Sequence, residues 1–186
     1  MARPVSVPAS RTPPQPVLVR RLTPEDAGTY QALRLRGLEE HPEAFTSSAE
    51  EEAARPLQWA QDRLQPVAAR PHDFFLGAFR GPQLLGIVGL QGRYRPKERH
   101  NATVVGMYVV PEVSGQGVGR ALMRVLLEEA GRLDGLEQLD LTVTEGNDAA
   151  RTLYSRCGFT EWGRLPRAVR IGQQYLAKVH MLRPLR

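Results

Sequence analysis

From Met107 to Leu122 the chain reads Met-Tyr-Val-Val-Pro-Glu-Val-Ser-Gly-Gln-Gly-Val-Gly-Arg-Ala-Leu. An apolar run, a proline stop, a loop with three glycines and a helical apolar spacing follow one another without a gap. The pattern predicts a strand that feeds a tight loop, which in turn opens a helix. The first turn of a helix leaves backbone N–H groups without partners, and its dipole favours an anion there. Glycines let the backbone approach that anion closely. The stretch therefore predicts a pyrophosphate-carrying ligand. Two better-known phosphate loops are excluded. The dinucleotide fingerprint needs a glycine where Leu122 stands, and a Walker loop needs Gly-Lys-Ser/Thr where the chain has Gly119-Arg120-Ala121. A surface turn that merely joins strand to helix is the plain alternative.

The flanking residues complete a coarse layout. Val118, Ala121, Leu122, Val125, Leu126, Ala130 and Leu133 mark one buried helix face, with Gly135 ending the helix. Leu139–Val143 alternates as a strand does. Glu145–Ala150 forms a capped turn into a short helix, which runs through Leu153 and Tyr154 and closes at Cys157-Gly158-Phe159. Upstream, Val17–Leu22 is a strand. Thr23-Pro24-Glu25-Asp26 opens a helix to about Glu39. Ser48 and Glu51 form a capping box that starts a second helix, to about Leu64. Asp73–Arg80 and Leu84–Tyr94 make a hairpin across Gly81-Pro82, followed by a strand over Asn101–Val110. Phe159–Arg164 and Gln173–Arg183 are the last strands. This order predicts an α/β (α+β) protein with a mixed sheet covered by helices on both faces.

Composition narrows the class. The 186 residues are 41% hydrophobic and 24% charged, as in a globular protein with a sizeable core. No apolar run is long enough to span a membrane. Residues 1–16 hold five prolines and two arginines and no apolar centre, so they read as a disordered tail without a signal peptide, leaving one domain over 17–186. The single cysteine, Cys157, excludes an internal disulfide and fits a reducing, cytoplasmic setting. Its place before Gly158-Phe159 suits packing better than nucleophilic chemistry. No Cys/His cluster has metal spacing, so no metal is expected. The net charge is +5, but the arginines are dispersed and no aromatics interleave them, so no nucleic-acid partner is expected. Arg93, Arg95, Lys97 and Arg99 gather in one turn. They are either a solvated turn or a contact for ligand phosphates or a substrate carboxylate.

Four pieces in this order and spacing resemble the core of the GCN5-related N-acetyltransferase (GNAT) superfamily. They are Tyr108-Val109-Val110-Pro111, Gly115-Gln116-Gly117-Val118-Gly119-Arg120-Ala121-Leu122, Asn147 to Tyr154, and Cys157-Gly158-Phe159. His41–Phe45, Glu50-Glu51-Glu52 and Tyr175–Met181 extend the resemblance over about residues 17–186. Ser114 departs from the Gln or Arg usual three residues before the middle glycine. The resemblance implies the GNAT-like acyl-CoA N-acyltransferase fold, a central mixed and mostly antiparallel sheet flanked by helices. It implies acetyl-CoA as co-substrate. Met107, Tyr108 and Val109 would bind its pantetheine arm like an added strand, with Val109 polarising the thioester carbonyl. Ser114, Gly115, Gln116, Gly117, Val118, Gly119 and Arg120 would hold the pyrophosphate. Asn147 would bind the arm from the other side, and Tyr154 would give a proton to the departing sulfur.

The general base is open. Many members of the family use a glutamate in the strand before the loop, but Ala102–Gly106 contains no carboxylate. His100, Glu51, Glu145 and a water relay are the candidates. An acceptor amine, of a small molecule or a peptide, would pass between the segment Pro42–Glu52 and a loop over Pro166–Gln174. There Arg167, Arg170 and Gln174 hint at a polar or anionic acceptor. An open sheet edge leaves room for a homodimer. Two functions fit: an acetyltransferase, or a non-catalytic acyl-CoA-binding sensor.

Overall fold

β2 (Phe74–Arg80) and β3 (Gln83–Gly92) are apolar on both faces and buried along most of their length. Strands of this kind need a layer on each side. The computed structural model, which describes residues 16–185, supplies both. α1 (Ala27–Glu40) covers one face and α4 (Val118–Ala130) the other. Two successive residues of β4 (Asn101–Val109) show this, for the Tyr108 ring abuts Gly37 of α1 while the Val109 side chain faces Gly119 of α4.

β1 (Leu18–Arg21), β5 (Gln138–Thr144), β6 (Thr160–Ile171) and β7 (Gln174–Pro184) complete a seven-stranded sheet. Its order is β1-β2-β3-β4-β5-β7-β6, and every neighbouring pair is antiparallel except β4 with β5. A parallel pair needs a long crossover, and α4 is that crossover. The mixed, mostly antiparallel sheet flanked by helices is therefore the observed architecture. Its core includes the fully buried Leu76, Leu90, Leu122, Met123, Leu126 and Met181. Each such side chain contributes roughly 2 kcal/mol through removal from water.

Several boundaries differ from expectation. The helix expected from Ser48 to Leu64 is two, α2 (Ala49–Ala53) and α3 (Leu57–Leu64). The capping box forms as expected: the Glu51 amide donates to Ser48 Oγ and the Ser48 amide to Glu51 Oε2. Pro56 then breaks the run, because it lacks an N–H and pushes the preceding residue out of the helical region. α4 stops at Ala130, and Gly135 (φ +74°) belongs to the turn into β5 instead. β6 continues to Ile171, so the expected loop over Pro166–Gln174 is the arm of a β6–β7 hairpin. Pro166 is tolerated there because β6 is the sheet's edge, where no partner needs its amide. The register shifts between Leu165 and Val169, and Arg167 takes up the irregularity at φ +54°. Of the tail expected over residues 1–16, all but Pro16 lies outside the described residues. No described helix is long and apolar enough to cross a membrane.

Candidate active site

β4 and β5 pair only over Asn101–Thr103 against Gln138–Asp140. Beyond that point the two strands part. The cause is local to β4. Between Ile87 and Gly89 of β3 one residue faces two of β4, Gly106 and Met107, and Gly106 sits at φ +63°. A bulge of this kind bends the strand and sharpens its twist, and a left-handed residue is most easily glycine. β5, meanwhile, keeps its full ladder with β7. The inner edge of β4 is thus left without a partner strand. Val110 donates its amide to Leu85 O of β3 (2.9 Å), so the Val109 amide, one residue earlier, points the other way, into the gap.

The gap holds a cavity of about 350 Å³. Thr103–Met107 of β4 and Thr142–Thr144 of β5 form its walls, and α5 (Asp148–Arg156), with its cap Asn147, closes one side. The segment 44–47, Arg34 and Arg63 close the other. Met107, Asn147 and Tyr154 therefore line one space. The Tyr108 side chain does not: it packs against α1, where its hydroxyl donates to Glu40 Oε2 (2.5 Å). Only the backbone of Tyr108 is left to meet a ligand. Asn147 Oδ1 caps α5 by accepting from the Ala150 amide (3.1 Å), so its side-chain NH₂ is the part that remains for a ligand. Tyr154 is buried against Phe159, and that burial pushes its phenol above the usual tyrosine range. It keeps its proton throughout the neutral range.

β4 ends at the glycine loop. Gly115 and Gly117 adopt φ +74° and +80°, and Gly117 is the N-cap of α4. Among the described residues no backbone carbonyl takes the amides of Gly115, Gly117, Val118, Gly119 or Arg120. A Cβ on Gly115 or Gly117 would meet nothing within 4 Å, so the space before these amides is open. At Gly119 it would press on Leu153 and Met107 at 3.3 and 3.4 Å, so this glycine lets α4 pack on β4 and α5. Gln116 turns away from the open side, its Oε1 accepting from Arg80 (2.9 Å) and its Nε2 donating to Glu112 O. Ser114 and Arg120 are exposed beside the loop. Free amides at one end and an unpaired strand edge leading to a cavity at the other suit a ligand with a pyrophosphate and a thin extended arm. These residues fit acetyl-CoA.

The three candidate bases lie elsewhere. His100 ends the turn before β4, where its ring contacts Asn101. Glu51 serves the capping box. Glu145 is exposed and held below the usual carboxylate range by Arg164. None of them lines the cavity, and neither do Arg167, Arg170 or Gln174. Arg167 and Arg170 lie over the Tyr175 ring instead. Arg93, the first of the four clustered cations, pairs with Asp140. That turn sits at the start of β4 and the glycine loop follows its end. Nine strand residues, about 30 Å, separate the two, too far for one to assist the other. Cys157 packs partly buried at the end of α5, and burial raises its thiol pKa.

What sequence reasoning missed is the cavity's cationic lining. Lys178 of β7 is buried and donates from Nζ to Thr144 Oγ1 (2.8 Å) and Ala44 O (2.9 Å). Burial holds it below the usual lysine range. Arg34 Nε lies 2.9 Å from Oε1 of the fully buried Glu52, whose other oxygen is 3.8 Å from Arg55. A lysine inside the buried run Ala177-Lys178-Val179 was the available signal, since lysine is seldom buried without a purpose.

This fold, a seven-stranded sheet parted at its one parallel pair with a glycine loop after the parted strand, is that of known acetyltransferases. An acetyltransferase of the GNAT family from Streptococcus pneumoniae superposes with a TM-score of 0.74 at 23% identity, over 91% of this chain and 99% of that one. YncA from Salmonella typhimurium, a putative acetyltransferase solved with its cofactor acetyl-CoA, gives 0.75 at 20% identity, over 92% and 95%. The sequence pattern of the acetyltransferase (GNAT) family matches residues 35–159, and the chain belongs to that family. Mycothiol acetyltransferase from Salinispora arenicola is 32% identical over 165 residues, 87% of this chain and 51% of the relative. N-alpha-acetyltransferase RimI from Mycobacterium tuberculosis is 35% identical over 115 residues, 61% of this chain and 68% of the relative. The chain spans about half the length of the mycothiol acetyltransferases it matches.

Proposed function

We propose that the chain is an acetyl-CoA-dependent N-acetyltransferase that moves acetyl directly to a primary amine of a small molecule or peptide. The observation that carries this reading is the parting of β4 from β5 beside the open glycine loop. Relatives named for mycothiol and for N-alpha acetylation keep both acceptor kinds in range. Acetyl-CoA supplies an activated acetyl group and a thiol leaving group. The amides from Gly117 to Arg120, with Ser114, Gly115 and Gln116 shaping the loop, hold the pyrophosphate. The backbone of β4 from Met107 to Val109 bonds the arm as an added strand, and the Asn147 NH₂ meets it from α5. The Val109 amide polarises the thioester carbonyl.

In the reaction the acceptor nitrogen forms a bond to the acetyl carbon, the carbon–sulfur bond breaks, and the nitrogen loses a proton as the sulfur gains one. Tyr154 holds the proton for the sulfur. Lys178, which lines the cavity, takes the proton from the nitrogen, since burial holds its pKa below the usual lysine range. The setting is a reducing, cytoplasmic one, with no metal needed for these steps. A homodimer through the exposed edge strand β6 is compatible with all of them.

One observation favours the other reading, a non-catalytic acyl-CoA sensor: among the described residues no Asp or Glu lines the cavity. Release of free thiol from acetyl-CoA, measured against a panel of amines, separates the two. Amine-dependent release is the expected result. Tight acetyl-CoA binding without amine-dependent release from any panel member would favour the sensor.

A further inference from the structure

At the cavity wall away from α5, Arg63 of α3 is held by three contacts. Its Nε donates to the Tyr30 hydroxyl (3.0 Å), and its guanidinium carbon lies 5.1 Å from the Trp59 ring centroid and 4.7 Å from that of Phe75. A guanidinium fixed by one hydrogen bond and two aromatic rings has its plane set in advance. Its Nη edge is left over. The carboxylates nearest in the chain and across the adjoining groove are engaged elsewhere. Asp62 accepts from Gln58, and Asp73 accepts from the Tyr94 hydroxyl and the Gly92 amide and lies 3.7 Å from Arg70. Beside Arg63 on the cavity wall stands Arg34, which shares its one carboxylate, Glu52, with Arg55. Arg34 and Arg55 thus share one buried carboxylate, Arg63 has no ion pair among the described residues, and the cavity lining carries an excess of positive charge. Half-buried cations without counter-ions are costly to keep unless a ligand completes them.

Resting on the acetyltransferase reading, we propose that the acceptor amine also carries an anionic group, a carboxylate or a phosphate. That group docks on the Nη edge of Arg63 with Arg34 beside it, while the amine reaches the gap between β4 and β5. The planar fork of a guanidinium matches both anions through paired hydrogen bonds. The cavity, at about 350 Å³, lies at the small end of ligand pockets, which run from roughly 300 to 1,000 Å³. The acceptor is therefore a compact molecule or the tip of a larger one. This moves the anion site from the β6–β7 hairpin, where Arg167 and Arg170 hinted at it, to α1 and α3.

The test compares matched amines on the full chain. Alanine against alaninamide probes the carboxylate, and 2-aminoethyl phosphate against ethanolamine probes the phosphate. Binding of each is measured by calorimetry with and without CoA, and transfer by thiol release from acetyl-CoA. The charged member of at least one pair is expected to bind and react about tenfold or more better than its neutral partner. Arg63→Gln should erase that preference, chiefly through KM, with the affinity for acetyl-CoA unchanged. Arg63→Lys, which keeps the charge and loses the fork, should recover only part of it and guards against a variant that fails to fold. Equal handling of both members of each pair, no binding by either, or a preference that survives Arg63→Gln would each overturn the anion site. The acetyl-CoA affinity measured alongside judges the acetyltransferase reading separately, since a bound cofactor with no charge preference sinks only the anion site.

Discussion

Tyr154 and Lys178 face one cavity with opposite duties, and each makes its own prediction. Burial keeps the Tyr154 phenol protonated, which suits the proposed role of proton donor to the sulfur. Tyr154→Phe should lower kcat by about a hundredfold or more and leave the acetyl-CoA affinity unchanged. Equal turnover in both proteins would remove Tyr154 from the chemistry. Lys178 sits below the usual lysine range, so its neutral form appears at lower pH than on an exposed lysine. The rate kcat/KM should climb with pH up to that lowered value and level off above it. Lys178→Met should abolish this limb, and an unchanged limb in the variant would assign the titration to another group. At this scale the sequence was legible where a local motif sets a residue's placement. Asn147 and Tyr154 share one helix and reach the cavity together. Lys178 and Ala44 meet across 134 positions, and Arg34, Arg63 and Lys178 share a wall only after folding. The missed residues are those that no local spacing connects, and His100, Glu51 and Glu145 attracted notice only for their titratable chemistry.

Elements are where most of the fold was readable, because apolar periodicity and caps are local. The strand–loop–helix from β4 to α4 formed as its pattern indicates, since positive φ at Gly115 and Gly117 asks for glycine. Gly117→Val should strain that turn by about 1–2 kcal/mol and block the open amides, abolishing measurable acetyl-CoA binding with the fold retained by circular dichroism. At the start of α1, Asp26 accepts from the Thr23 amide and from both ends of the Arg20 guanidinium, each at 2.8 Å. Arg20 foremost, with the Thr23 amide, holds the Asp26 carboxyl below its ordinary value of 3.8. A carboxyl depressed in the folded state contributes stability that is present above its unfolded pKa and is lost as pH falls through the folded one. Asp26→Ala should therefore cost about 1 kcal/mol at neutral pH and progressively less below pH 3.8, measured by urea unfolding. A penalty independent of pH would contradict this. The elements misjudged are those ruled by a single proline in context. Pro56 split a helix whose capping box and apolar positions read as continuous. Pro166 looked like a loop because its tolerance depends on β6 being an edge, which is a property of the assembled sheet.

The whole molecule works by an interruption in its sheet. All seven of its strands were legible in the sequence patterns, whereas their order in the sheet belongs to the folded chain. The site depends instead on β4 and β5 parting after three paired residues. A one-residue bulge at Gly106 causes that parting, and no periodicity in Ala102–Gly106 announces it. The parted edge, the loop at its end and the α5 wall then give one slot with a mouth of free amides and a lined interior. Calorimetric titration of the chain with acetyl-CoA, alongside CoA and NAD, tests this arrangement most directly. The account predicts micromolar binding of acetyl-CoA and CoA, none of NAD, and loss of binding in Gly117→Val. Failure of the wild-type chain to bind acetyl-CoA, or undiminished binding by a folded Gly117→Val variant, would contradict it.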